Sequence, residues 1–377
     1  MKICMVADNA YPPYGGMEIS LIRHTKIMRS MGHDIFVLTA KKPGERKKEN
    51  VEHLRLYRFA GIPQPKTKPY IYWAFPSKAK IVKILREEKP DIVHVHFPTY
   101  LGLVSVKAAN ELNIPVIFTH HTHIEQVLPN IRAKDTLIKK LHTLIDKWFE
   151  YIYNRVDVII ALTPKAQKHL KKRYPGKRVE WVSNGIPLEE FKPTYKKSEK
   201  PTVLYVGRLM AEKNVDTLIK AMKIVQEKKN DIKLVIRGDG YLKKELTKLS
   251  NDVGVYVDFL PRLSHEELCK LYDSSWVFVL PSHSEPEGLT VLEAMAMGTP
   301  VVVSKSADIS HHMIIEGYNG YTFQTKSPED LASKIMKITE NMENVLKMGK
   351  NAREFVKRYS VKESVRKILK IYEDISS

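Results

Sequence analysis

The chain reads as an α/β protein built from two Rossmann-like halves, and three observations predict this. Short apolar runs of strand length alternate with amphipathic helical stretches over nearly the whole sequence. The alternation restarts at Thr202, after a charged run over residues 194–200. At 377 residues the chain is long for one core and comfortable for two domains of about 180 residues each.

The elements follow in order. Residues 3–8, ICMVAD, form a buried first strand, so no leader segment is read there. In the loop NAYPPYGGME, Gly15 and Gly16 open a helix over 18–31 that stops at Gly32. Paired glycines let a backbone approach a ligand closely with N–H groups free, although a tight turn is the plainer reading. They do not complete G-x-G-x-x-G, so the dinucleotide-cofactor fingerprint is missing. Strand DIFVLTA, a polar stretch over 41–50, strand-like LRLYRFA and a proline-rich loop over 61–69 come next. A helix over 78–88 leads to DIVHVHF, a continuous buried run; a helix over 103–112 and strand PVIFTHH repeat the pattern.

The stretch over 131–153 sets Leu137, Leu141, Leu144, Ile145, Trp148 and Tyr151 or Ile152 at helical spacing, with Lys134, Lys139, Lys140, Lys147 and Arg155 interspersed or adjacent. Such a helix either packs on a core or lies in an anionic membrane surface. DVIIAL is the next strand, and Thr163 and Pro164 start the helix carrying Lys165 to Lys172. Turn chemistry at Asn184-Gly185 and the charged run after Pro193 read as an interdomain linker.

The second half runs TVLYVG, a helix reaching Lys228, KLVIRGDGYLKKEL, strand VYVDFL and a short helix SHEELCKLYDSS. WVFVL, the loop PSHSEPEGLT, a helix ending at Gly298 and strand VVVS then make one βαβ unit. Helices from Pro328 onward close the chain.

Composition narrows the function classes. With 43% hydrophobic and 28% charged residues, the chain has an ordinary α/β profile. Sixty-two Lys and Arg against 43 Asp and Glu give a net charge of +19. An anionic membrane surface, nucleic acid and a charge-rich thermophile surface compete to explain it. The bases are spread along solvated helix faces and no nucleic-acid motif accompanies them, so no nucleic acid is expected as partner. Cys4 and Cys269 have neither metal-ligand nor disulfide spacing, which points to a reducing, cytoplasmic setting. No apolar run approaches the roughly 18 residues of a membrane span.

Candidate site residues cluster past strand ends, where open α/β sheets bind ligands. The N–H groups of Gly288, Leu289 and Thr290 sit at a helix N-terminus, a ready site for phosphate. Glu285 and Glu293 flank them. Carboxylates repel phosphate and suit neutral hydroxyl-rich groups attached to it, a hexose on one side and a ribose on the other. A helix start with incidental acids is the plainer alternative. Arg208 and Lys213, in GRLMAEKN, can clamp a diphosphate, the guanidinium with two parallel bonds; two surface bases in a basic chain is the other reading. His120, His121 and His123 gather in FTHHTHIEQ, but a zinc site needs further convergent ligands at motif spacing, so no metal site is read. His94 and His96 read as core residues near those strand ends.

These residues carry a resemblance. SEPEGLTVLEAMAMGTPVV resembles the E-x7-E signature of the retaining nucleotide-sugar glycosyltransferases, the group-1 or family-4 set, with Glu285 and Glu293 at the motif's spacing. GRLMAEKN is similar to the family's G-R-x4-K motif and RGDG, through Gly238 and Gly240, to its G-x-G-p loop. Gly15 and Gly16 fall in a segment that resembles its Gly-Gly-x-E loop. Asn184-Gly185 resembles its Asn-Gly hinge, with Pro187 standing where an Asp is common. The family's His-Thr pattern fits His121, with His120 as the alternative. The resemblance spans nearly the whole chain and is nearest to lipid-acceptor transferases such as phosphatidylinositol mannosyltransferases.

The resemblance implies the GT-B fold, two Rossmann-like domains facing across a cleft. An acceptor-side domain is expected over 1–190, a nucleotide-sugar domain over 201–357, and a last helix over 358–377 that packs back on the first. It implies transfer of a hexose from a nucleotide-diphosphate sugar to a hydroxyl acceptor, lipid-linked in the nearest relatives, with the anomeric configuration retained. Arg208, Lys213 and the amides of Gly288, Leu289 and Thr290 would hold the diphosphate, Glu285 the hexose and Glu293 the ribose. Gly15 and Gly16 would meet phosphates and sugar, Gly238 would lie beside the nucleotide, and His121 would hydrogen-bond a sugar hydroxyl. No cofactor beyond the nucleotide-sugar substrate is implied, and no metal, because no donor-binding loop carries D-x-D. Charge and the helix over 131–153 point to peripheral attachment at the inner face of the cell membrane. Two alternatives stand beside this reading. One is a sugar-nucleotide epimerase of the same fold, and the other a basic nucleic-acid-binding protein whose affinity falls steeply with salt.

Overall fold

The structure, a computed structural model, describes residues 1–12, 15–51, 54–64, 71–121 and 136–376, with backbone alone for 136–142. It divides into two compact units, Met1–Asn184 with Val361–Ser377, and Gly185–Ser360.

The first unit holds strands β1 (Lys2–Val6), β2 (Asp34–Lys41), β3 (Lys48–Val51), β4 (Leu54–Pro63), β5 (Tyr72–Ala74), β6 (Ile92–Val95), β7 (Val116–His120), β8 (Val158–Ala161) and β9 (Arg178–Trp181). Their order is β3-β4-β2-β1-β6-β7-β8-β9, with β5 paired to β4. All pairings are parallel except β3 with β4 and β4 with β5. Helices α1 (Gly16–Ser30), α2 (Lys78–Glu88), α3 (Tyr100–Glu111), α4 (Thr136–Tyr153) and α5 (Pro164–Arg173) fill the crossovers. The period-2 alternation of the apolar strands places Cys4, Val6, Phe36 and Leu38 in one core, and Ile3, Met5, Ile35 and Val37 in another. The C-terminal helix Val361–Ser376 contributes Val365, Ile368 and Tyr372 to the second of these.

Three strands of this unit escape the sequence reading: β3, β5 and β9. Lys48–Val51 reads KENV and none of its residues is buried, while β9 buries only Val179. They are held by backbone pairing at or near the sheet edges, so no apolar pattern announces them.

The second unit is a six-stranded, wholly parallel sheet of β10 (Thr202–Val206), β11 (Lys233–Arg237), β12 (Val257–Leu260), β13 (Val277–Leu280), β14 (Val301–Ser304) and β15 (Gly320–Phe323), in the order β12-β11-β10-β13-β14-β15. That is the doubly wound order of nucleotide-binding sheets, reversing between β10 and β13. Helices α6 (Val215–Lys228), α7 (Lys243–Asp252), α8 (His265–Ser274), α9 (Leu289–Ala296), α10 (Ser310–Met313), α11 (Pro328–Ile338) and α12 (Met342–Val356) accompany it. Again the strands split by parity, Val203 and Tyr205 to one core, Leu204 and Val206 to the other.

The charged run read as a linker is a strap pinned to this unit. The N–H groups of Thr194 and Tyr195 donate to the Asp273 carboxylate, at 3.0 and 3.1 Å. Lys197 Nζ donates to the carbonyls of Asp273 and Gly298 and to Thr299 Oγ1. Burial holds the Lys197 ammonium down at about 8, with Asp273 acting against the shift.

Candidate active site

At the switch point of the second sheet, the carboxyl ends of β10 and β13 lie side by side. The loop after β10 carries Arg208 and Lys213, and the loop after β13 carries Glu285 and Gly288. A tight turn, Ala211–Lys213, closes on Asn214 in the left-handed region at φ 55° and starts α6. It aims Lys213 across the switch point, where Nζ lies 2.5 Å from Oε2 of Glu285; their side chains are only 11% and 15% exposed. Each of these part-buried groups offsets the other's charge, so neither stands as an uncompensated ion. Arg208 is half exposed, with Glu212 at 3.7 Å.

Backbone bonds fix the loops to one another. Leu209 N–H donates to Asp239 O at 2.8 Å, His283 N–H to Glu212 O at 3.0 Å, and Asp308 N–H to Glu285 O at 3.1 Å. Gly238 sits so near Gly207 that a Cβ there would overlap the Gly207 carbonyl oxygen, so glycine is needed for this close approach. Gly288 is the N-cap of α9 at φ 65°, and a side chain there would also press on Ile309. The N–H groups of Leu289 and Thr290 fall in the first turn of α9, where a helix leaves its donors unpaired. One turn on, Glu293 accepts a hydrogen bond from the buried Tyr272 hydroxyl at 3.2 Å. The structure therefore gathers Arg208, Lys213, Gly238, Glu285, Gly288, Leu289, Thr290 and Glu293 on strand-end loops and the first turns of α9.

Sequence reasoning missed four neighbours. Glu212 Oε2, Asn214 Nδ2, Arg237 Nε and Ser282 Oγ are buried without a hydrogen-bond partner. All belong to strand ends or loops at β10, β11 and β13. Buried polar atoms are nearly always paired, so this hydrogen-bonding capacity is available to a polar ligand. Their position past strand ends was the signal in the sequence; no motif spacing marked them.

The first unit has its own switch point, between β1 and β6. Asp8, just past β1, accepts hydrogen bonds from Ala74 N–H at 2.8 Å and from the Thr99 hydroxyl. Burial pushes its carboxyl up to about 6, against the lowering effect of those bonds. Gly15 caps α1, and a Cβ there would stand 2.8 Å from Oε2 of Glu18; Gly16 is the first residue of the helix. Past β7, His121 Nε2 lies 3.1 Å from His96 Nδ1, whereas His120 Nδ1 faces the Tyr153 hydroxyl at 2.5 Å. His96 stacks on His94 with ring centroids 4.2 Å apart. His24, on α1, meets the Asn184 carbonyl at 2.8 Å. His123 and residues 131–135 lie outside the described residues, as do the side chains of Leu137, Lys139, Lys140 and Leu141. In the rest of α4, Phe149, Ile152 and Tyr153 are buried, while Leu144 is 63% exposed and Trp148 and Tyr151 are each 37% exposed. Arg155 lies over the Tyr151 ring at 3.5 Å.

Comparison with known proteins places this geometry in a class. The model for glycosyl transferases group 1 matches residues 188–355, and that for glycosyltransferase family 4 matches residues 14–190. An uncharacterized glycosyltransferase of Methanocaldococcus jannaschii is 30% identical, over 88% of this chain and 87% of its own length. The alpha-monoglucosyldiacylglycerol synthase of Streptococcus pneumoniae is 27% identical, over 80% of this chain and 70% of its own. Among solved structures, sucrose-phosphate synthase from Thermosynechococcus elongatus superposes with a TM-score of 0.82 at 20% identity, covering 99% of this chain and 98% of that one. The expected GT-B class of two Rossmann-like domains is thus found. The chain belongs to the group 1 glycosyltransferases, with a family 4 amino-terminal half.

The buried imidazoles make the first unit acid-sensitive. Burial holds His24 down at about 4 and His96 at about 3, and it lowers His94 and His121 well below their ordinary range. Unfolded histidines bind protons near pH 6.5, so below that pH the unfolded state binds more protons and stability falls. For His24 alone the loss reaches on the order of 3 kcal/mol once the pH is below 4. Asp8, raised to about 6, works in the opposite direction between pH 6 and 4, one group against four. Urea unfolding should therefore show its highest midpoint for this unit above a pH of about 6.5 and a steady decline towards pH 4. A midpoint unchanged over that range would contradict the burial of neutral imidazoles.

Proposed function

We propose that this glycosyltransferase moves a hexose from a nucleotide-diphosphate sugar to the hydroxyl of a lipid-linked acceptor with retention of configuration. The Lys213–Glu285 pair at the switch point carries the reading. An entering diphosphate competes for the ammonium and a hexose hydroxyl for the carboxylate, so one donor molecule replaces each group's partner. Arg208, Lys213 and the first-turn amides at Gly288, Leu289 and Thr290 stabilise the charge that builds on the departing diphosphate. Glu285 orients the hexose, Glu293 takes the ribose, and Gly238 lets the nucleotide lie against its loop. Gly15 and Gly16 offer backbone N–H groups to phosphates and sugar, and His121 hydrogen-bonds a sugar hydroxyl.

The bond from the anomeric carbon to the leaving phosphate oxygen breaks as the acceptor oxygen bonds to that carbon on the same face. The leaving oxygen takes the acceptor's proton, and the configuration is retained. Protein cations supply the positive charge a metal would bring, so neither a metal nor a further cofactor is needed in this scheme. Relationship to a glucosyldiacylglycerol synthase supports the lipid acceptor. The net charge of +19 and the exposed Leu144, Trp148 and Tyr151 support peripheral attachment to the inner face of the cell membrane.

Lys213→Ala and Arg208→Ala should each lower turnover by about 10²-fold or more, roughly 2.7 kcal/mol of transition-state stabilisation, with native circular dichroism. Wild-type rates in both would remove the clamp. For the membrane half, sedimentation at low salt should carry the protein down with vesicles containing anionic lipid and leave it behind with neutral ones. Protein left in the supernatant with both kinds would make a soluble sugar acceptor the better assignment.

A further inference from the structure

His121 does not stand alone. Its Nε2 faces Nδ1 of His96 at 3.1 Å, and the far nitrogen of His96, Nε2, lies 3.5 Å from the sulfur of Met5. His96 is 4% exposed and Met5 1%. Neighbouring His94 is saturated by hydroxyls, Tyr372 on Nδ1 and Thr119 on Nε2, each at 2.6 Å. It therefore stacks on the His96 ring and competes for neither of its nitrogens.

The chemistry of Met5 decides where the protons sit. A thioether sulfur accepts hydrogen bonds and cannot donate them. With the proton on His96 Nε2, that N–H points at the sulfur, and the bare Nδ1 accepts from His121. With the proton on Nδ1, two lone pairs face each other across the His96–Met5 contact, and one of the two bonds is lost. Buried polar groups settle in the arrangement that satisfies more of them.

We infer that Met5 and His96 are positioning residues that fix His121 as the Nε2–H tautomer, so that its Nδ1 presents a lone pair. His121 then accepts a hydrogen bond from a hydroxyl O–H and does not donate one to an oxygen. The inference rests on the reading of His121 as a sugar-hydroxyl partner only for its catalytic consequence. The tautomer follows from the geometry of the first unit alone.

Ring-nitrogen NMR of the full chain labelled with 15N-histidine, at a pH of about 7.5 where imidazole is neutral, reads the tautomers directly. Spectra of His96→Asn and His121→Asn assign the two rings. Both should be Nε2–H; His121 as Nδ1–H, or as an averaged mixture, would overturn the inference.

Two substitutions test the consequence. His96→Leu keeps an apolar side chain in place but removes the acceptor, and should lower kcat about 10-fold or more with little change in the donor's KM. His96→Asn sets a carbonyl oxygen near the Nδ1 position and should recover most of that loss. Equal losses in two natively folded variants would show that the imidazole serves packing alone. Tautomers as inferred, together with wild-type turnover in His121→Ala, would uphold the proton arrangement and dismiss the sugar contact.

Discussion

The reversal of strand order between β10 and β13 is a constraint that the chemistry of the second unit inherits. A parallel sheet must be covered on both faces, so its crossovers diverge to opposite sides where the order turns. The loops leaving those two strands are left adjacent. Whatever the second unit binds through Arg208, Lys213 and Glu285 is met there, because no other pair of strands in that sheet has its loops parted in this way. The tight Gly207–Gly238 approach and the left-handed Gly288 serve the same end, by packing the loops closely enough for their polar groups to converge.

Two solutions to burying polar groups operate in the two units. In the second, Lys213 and Glu285 stay near a neutral sum by pairing. In the first, His24, His94 and His96 are buried and kept uncharged by that burial, and hydroxyls, a carbonyl and a sulfur meet their nitrogens. A salt bridge exchanges partners readily when a charged ligand arrives, which would suit the proposed grip on a diphosphate. Neutral imidazoles in a fixed chain would suit the proposed hydrogen bond to a neutral sugar.

Much of the fold was legible because strands buried on both faces are continuous apolar runs. WVFVL and TVLYVG need no partner to be recognised, whereas KENV and RVEW become strands only when another strand's backbone lies alongside. The strap over 194–200 looked like a linker because its bonds run to Asp273, Gly298 and Thr299, far along the chain. The candidate site was legible where spacing is local, as in Glu285 to Glu293 and Arg208 to Lys213. The pair between Lys213 and Glu285 spans 72 residues, and Tyr372 reaches His94 across 278, so neither contact leaves a trace in local spacing. Glu212, Asn214, Arg237 and Ser282 are ordinary polar residues until the fold removes their water.

The anomeric configuration of the product tests the central claim most directly. Purified enzyme is supplied with α-linked UDP, GDP and ADP hexoses in turn, lipid and glycan extracts as acceptors, and a chelator in place of added metal. Proton NMR of the isolated product then reads the new linkage. Transfer from one of these donors with an α linkage is the expected result, and a β linkage, or no transfer from any of them, would contradict it.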